Sequence, residues 1–168
     1  MTTTPTTWMT KPLGKVRAML AQSAAFRTLT GSADAAAALA HAHLYVISGY
    51  PTRTTPAALV TWAPNFTYER QAQGQSVAWY PSGDIILALC APKASLDADT
   101  PEVDMADRLG SIIDEMTALA SDPAYLAIQS ISIDTINGPD DEHAHGLSTT
   151  LENGITAIAI ITWSDDQI

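Results

Sequence analysis

The chain has 168 residues, a formal net charge of −10 and one cysteine, Cys90. That length fits one domain able to bury an ordinary core without staples, and a lone cysteine excludes an internal disulfide framework. The acidic balance argues against tight binding to a nucleic-acid backbone, because that affinity comes from counterions displaced by clustered Lys and Arg.

Residues 1–10 are rich in Thr and read as a flexible arm in which Trp8 is the only bulky group. They have neither the charged start nor the apolar core of a signal peptide. Residues 11–168 then form one α+β domain. Leu13, Val16, Met19, Leu20, Ser23, Ala24 and Phe26 fall on one arc at helical spacing, which predicts an amphipathic helix over 13–26. Ser32 is placed to cap a short Ala-rich helix over 33–40. Strands follow at 43–48 and 58–62, separated by a loop rich in Thr and Pro at 51–56. The polar stretch 65–75, around Phe66 and Tyr68, has no clear period. Segments 76–80 and 84–91 flank Pro81-Ser82-Gly83, which reads as a hairpin turn. Residues 85–91 leave neither face polar, so that strand belongs in the centre of a sheet, covered on both sides.

The clearest element is a helix at about 102–120. Thr100 is its cap, Pro101 fits the first helical position, and Glu102 and Asp104 suit the positive end of the dipole. Met105, Leu109, Ile112, Ile113 and Met116 share one face, opposite Asp104, Asp107, Asp114 and Glu115. A short turn at Asp122-Pro123 leads to two long strands, 128–136 and 155–163. In the first, Ile131 and Ile133 alternate with Ser130, Ser132 and Asp134, so one face is wet or lies at a contact. The connection at 137–150 is much longer than an ordinary hairpin loop and carries Asp140, Asp141, Glu142, His143 and His145. The expected architecture is a mostly antiparallel sheet packed by the N-terminal amphipathic helix and the long helix.

Charge is distributed unevenly along this layout. Residues 1–33 carry Lys11, Lys15, Arg17 and Arg27 with no acid, and residues 94–168 hold fifteen carboxylates against Arg108 alone. A +4 front and a −14 back suit an intrachain contact, or a head-to-tail contact of the kind that closes a ring. On the second reading Lys15, Arg17 and Arg27 meet Asp104, Asp107, Asp114 and Glu115 of a neighbour, while Trp8 and the acidic loop are partner contacts.

Catalytic signals are weak by comparison. There is no G-x-S-x-G elbow, phosphate-cradling glycine loop or dinucleotide fingerprint, and the apolar run around Cys90 suppresses its thiolate. Two His-Ala-His pairs, His41/His43 and His143/His145, offer two nitrogens each on a strand. The first pair straddles a helix end and the second sits in an acidic loop, where solvated histidine is the commoner state. No catalytic, metal or cofactor residue is therefore assigned, and no cofactor is expected. No stretch reaches the roughly 20 apolar residues of a membrane span. Trp62, Trp79 and Trp163 fall in strands and are expected to pack in the core, each indole N–H finding a partner.

Three features together resemble the tail-terminator, or tail-completion, proteins of tailed bacteriophages, with head–tail joining proteins as neighbours. They are the opening helix ending in Ala24-Ala25-Phe26-Arg27-Thr28-Leu29-Thr30, the meander from Ala58 to Ala91 through Tyr80-Pro81-Ser82-Gly83-Asp84, and Asp104-Met105-Ala106-Asp107-Arg108-Leu109 with the two closing strands. The likeness covers most of the chain and is one of architecture; the Thr-rich arm and the loop at 138–146 are additions to it. It implies a structural, non-catalytic virion protein, assembled in the host cytoplasm into a hexameric ring at the tail and neck. Such a ring caps the tail tube protein, docks the head connector or stopper protein, and lets DNA pass without specific binding. The rival readings are a small metal-dependent enzyme built on the His pairs and a monomeric binding domain.

Overall fold

The computed structural model describes residues 7–44, 55–73, 76–137 and 154–164. In chain order the elements are α1 (Lys11–Gln22), α2 (Ala24–Thr30), α3 (Ala35–Leu39), β1 (Ala42–Leu44), β2 (Ala57–Trp62), β3 (Thr67–Gln73), β4 (Ser76–Pro92), a 3-10 turn (Lys93–Ser95), α4 (Pro101–Leu119), β5 (Ile128–Asn137) and β6 (Gly154–Ser164). The architecture is α+β. Six strands form one mixed, mostly antiparallel sheet in the order β1-β2-β4-β6-β5, with β3 paired to the rest of β4. Among the described strands only the β1–β2 pair is parallel.

The amphipathic start is two helices rather than one. Ser23 takes an extended backbone (φ −62°, ψ 125°), ends α1 and caps α2 by accepting from the Phe26 N–H at 3.0 Å. A serine hydroxyl competes with helical backbone bonds by capping locally, and here the cap prevails. Gly31 closes α2 in the left-handed conformation, φ +67°. Asp34, not Ser32, caps α3 through the Ala37 N–H. Thr100 occupies the N-cap position of α4 but makes no side-chain cap. Its hydroxyl and N–H donate to Asp97, whose own N–H is bonded to the Asp104 carboxylate.

The largest difference from expectation lies at Pro81-Ser82-Gly83. These residues do not turn the chain; β4 runs through them as a single 17-residue strand. Its first half pairs with β3, with Gln73 opposite Ser76, and its second half lies between β2 and β6. Strands β2 and β3 thus follow one another along the same edge of β4, interrupted only at Ala63–Phe66. Among the described residues the β4–β6 pairing ends at Ser82–Ser164, and the β3–β4 ribbon continues past it.

Gly83 makes the crossing possible. A Cβ there would lie 2.8 Å from the Phe66 Cα and 3.1 Å from its ring, at a backbone φ of +157°. The Phe66 ring instead packs on Trp163, with centroids 5.4 Å apart, and Trp163 is the register partner of Gly83.

The α-helices cover one sheet face. Met19, Leu20, Phe26, Met105, Leu109, Ile112 and Met116 join Val60, Ile85, Leu87, Leu89, Ile155, Ile161 and Trp163 in one core. Leu59, Ile86, Ala88 and Ile158 form a second cluster on the opposite face, so the second half of β4 is buried on both sides. On β5 Ile128, Ile131 and Ile136 pack on the helix-side core, and Ile133, opposite the buried Ala159, shares that face but is 50% exposed, the four being spaced three, two and three apart. A regular strand would throw every odd step to the other face. Register shifts between Ile128 and Ser130 and between Ile133 and Thr135 absorb the extra residues and keep all four isoleucines on one side. The Trp163 indole N–H, in contrast to expectation, is buried with no hydrogen-bond partner among the described residues.

Two glycines give a paired test of this fold. Gly83→Ala should lower unfolding stability by about 1–3 kcal/mol, because backbone must move to admit the methyl. Gly110→Ala, on α4 with nothing within 4 Å of the added Cβ, should raise it by about 0.5–1 kcal/mol. Urea denaturation of both variants reads the two signs, and equal effects would contradict the continuous β4.

Candidate functional site

The helix layer brings the basic front and the acidic long helix together within one chain, as α2 packs on α4. Glu115 carries the contact. Its carboxylate accepts from the Ala25 N–H at 3.2 Å, at the first turn of α2. Burial pushes the Glu115 pKa up, but bonds from the Ser23 side chain and the Ala25 and Ala24 N–H groups, with the nearby Arg27 charge, outweigh it and leave it below the usual value. Helix N-terminal N–H groups favour an anion in this way.

Arg17 is also occupied within the subunit. Its Nε donates to the Ala42 carbonyl at 2.7 Å and its Nη2 to the Leu39 carbonyl at 2.8 Å, tying α1 to the end of α3 and the start of β1. Arg27 donates to the Ser23 carbonyl at 3.4 Å. Asp104 binds Arg108 through two oxygens, at 2.8 and 3.1 Å. That hydrogen bond, with help from the Asp97 N–H and the Arg108 charge, outweighs desolvation and holds its pKa low. Asp107 and Asp114 stand exposed on the outer face of α4 and form no ion pair among the described residues. Lys15, half-buried, lines a groove with Ser121, Asp122, Tyr125, Gln129 and Ser164. Of the charged candidates, Lys15, Asp107 and Asp114 therefore remain most available to a partner.

Trp8 docks on its own domain. Its ring lies 5.9 Å from Phe66, extending the Phe66–Trp163 stack, and the Trp62 Nε1–H donates to the Met9 carbonyl at 3.0 Å. The arm residues from Thr7 onward are thus fixed over the end of β2. Trp8, Met9 and Trp62 nevertheless stay 39%, 44% and 37% exposed. Met9 and Trp62 were not singled out as contact residues by sequence. The signal available was Trp62 ending its strand just before Ala63-Pro64, where a sheet-end position leaves part of an indole wet.

Asp140, Asp141, Glu142, His143 and His145 lie outside the described residues. His41 Nδ1 sits 3.1 Å from the Pro56 carbonyl, and His43 is half-buried on β1. Among the described residues no three His, Cys, Asp or Glu side chains are grouped to hold a metal ion, and no helix is long and apolar enough to cross a membrane. Neither a protein-family model nor any characterised protein matches the sequence.

The Glu115 cap has a definite pH signature. A carboxyl whose pKa falls on folding adds stability above its unfolded pKa, near 4.5 for glutamate, and loses it as pH drops through the lower folded value. Glu115→Gln should therefore lower the melting temperature at pH 7. The gap to the parent should shrink as the pH falls below about 4.5 and close in strong acid. Thermal melts of both proteins from pH 7 to pH 3 measure it, and a gap independent of pH would show that the charge is not what caps α2.

Proposed function

We propose that the protein is a structural virion component that assembles into a ring, ends a bacteriophage tail tube and joins it to the head connector. The observation that carries this reading is the order of elements: helices, a meander built on one long strand, a long helix and two closing strands around one mixed sheet. Two further features support it. Among the described residues the outer edge of β5 is unpaired and the β3–β4 ribbon runs past the β4–β6 pairing, and both offer main-chain groups to a neighbour. The exposed carboxylates of α4 and the acidic chain as a whole would repel phosphate, so DNA could pass such a ring without sticking.

Native mass is the deciding measurement, taken on the purified protein alone and mixed with tail tubes. A hexamer in solution, or a ring seated at tube ends when tubes are added, is the expected result. Charge contributes to that assembly, and raising salt from 0.1 to 1 M shortens the Debye length from about 10 to about 3 Å. Ring yield should fall over that range. A monomer in both conditions, with no binding to tubes, would discard the reading.

A further inference from the structure

Three of the five large hydrophobic side chains exposed on the described surface, Trp8, Met9 and Trp62, lie at one end of the sheet, where the Trp62 indole N–H bonds the Met9 carbonyl and the Trp8 ring faces Phe66. Isolated exposed hydrophobes need no explanation. Two tryptophans and a methionine held together do, because these residue types are enriched where proteins meet. The α1 N-terminus begins beside them with exposed Lys11, in the stretch of chain that contains no acid.

The sheet register locates this patch against the rest of the molecule. Trp62 pairs with Ile85, and Trp163, which bears the Phe66–Trp8 stack, pairs with Gly83. The opposite end of the sheet is the Pro92–Gly154 pair, nine residues further along β4, or about 30 Å at 3.3 Å per residue. From there the chain enters the 3-10 turn and α4. At that far end Val103, 57% exposed, lines a shallow groove with Ala94, Leu96, Asp104 and Asp107. Asp97, Asp99, Glu102, Asp104 and Asp107 surround it, against Lys93 and Arg108.

We propose that the Trp8–Met9–Trp62 patch of one copy seats in the Val103 groove of the next. The aromatic patch then covers Val103 and Leu96, the apolar residues of an otherwise polar groove, and the Lys11 side meets the carboxylates of Asp99, Glu102 and Asp107. The patch lies at the Gly83–Ile85 end of the paired part of β4 and the groove follows its Pro92 end, so the two halves do not meet within one chain. The contact is heterologous, and repeating it builds a ring or a filament rather than a two-fold dimer. This assigns the contact surfaces of the assembly proposed above and rests on that reading only for its biological setting.

Crosslinking of the full chain tests the contact without any tail component. Met9→Cys and Val103→Cys are made as separate proteins, and both positions are exposed enough for the fold to tolerate them. Oxidising a mixture of the two should give one covalent dimer. Either variant oxidised alone, and the parent with its buried Cys90, should give none. Adding Trp62→Ala to the Met9→Cys protein should cut the yield roughly tenfold or more, the scale of losing an aromatic anchor. Lys11→Glu should also cut it, and Asp107→Lys in the Val103→Cys partner should partly restore it. Dimers from one variant alone would mean a two-fold contact and overturn the proposal. So would no dimer from the mixture, or a yield indifferent to Trp62→Ala. A positive crosslink with no binding to tail tubes would keep this contact and discard the tail-terminator role, whereas tube-bound rings without the crosslink would do the reverse.

Discussion

The uninterrupted run of β4 from Ser76 to Pro92 is the constraint on which the other elements depend. Its second half is buried on both faces and paired on both edges, which fixes β2 and β6 as neighbours and leaves β1 and β5 outermost. A strand that long must cross the sheet boundary, and it does so at Gly83, where Phe66 lies too close for any side chain. Phe66 in turn positions the Trp163 and Trp8 rings. The aromatic end of the sheet is thus a direct consequence of how β4 leaves it.

The charge asymmetry divides into two parts once the helices are packed. One part is consumed inside the subunit: Glu115 answers the α2 N-terminus, Arg17 answers two carbonyls, and Asp104 answers Arg108. Such groups contribute to stability because unpaired buried donors and acceptors would cost more than the pairing gains. The other part stays in water, with Lys11 at one end and Asp107 and Asp114 along α4. Only this remainder can act between molecules. Exposed pairs contribute about 0–1 kcal/mol each, so an assembly contact built on them needs apolar anchors as well.

The bulges of β5 serve two purposes with one device. They hold Ile128, Ile131 and Ile136 against the helix-side core despite irregular spacing. They also twist an otherwise open edge, which discourages indiscriminate pairing while leaving its main chain reachable.

Local chemistry made much of this legible in the sequence. The α4 face at Leu109, Ile112 and Met116 follows from helical periodicity, and the central place of residues 85–91 follows from an apolar run with no polar face, since both patterns depend only on what must leave water. Boundaries set by competition were less legible. Ser23 could continue a helix or cap the next one, and the Glu115 carboxylate 92 positions away in the chain helps decide it. Pro81-Ser82-Gly83 has the composition of a turn, yet pairing with β3 and β6 draws it into a strand, because the close approach of Phe66 requires glycine where a turn would merely prefer it. The aromatic patch was beyond sequence for a similar reason. Trp62 joins the consecutive Trp8 and Met9 only because β2 ends beneath the start of α1. The sequence by itself determined which residues had to be buried and the class of elements that bury them; tertiary packing alone decided which polar and aromatic groups were left for a partner, since that depends on contacts between segments far apart in the chain.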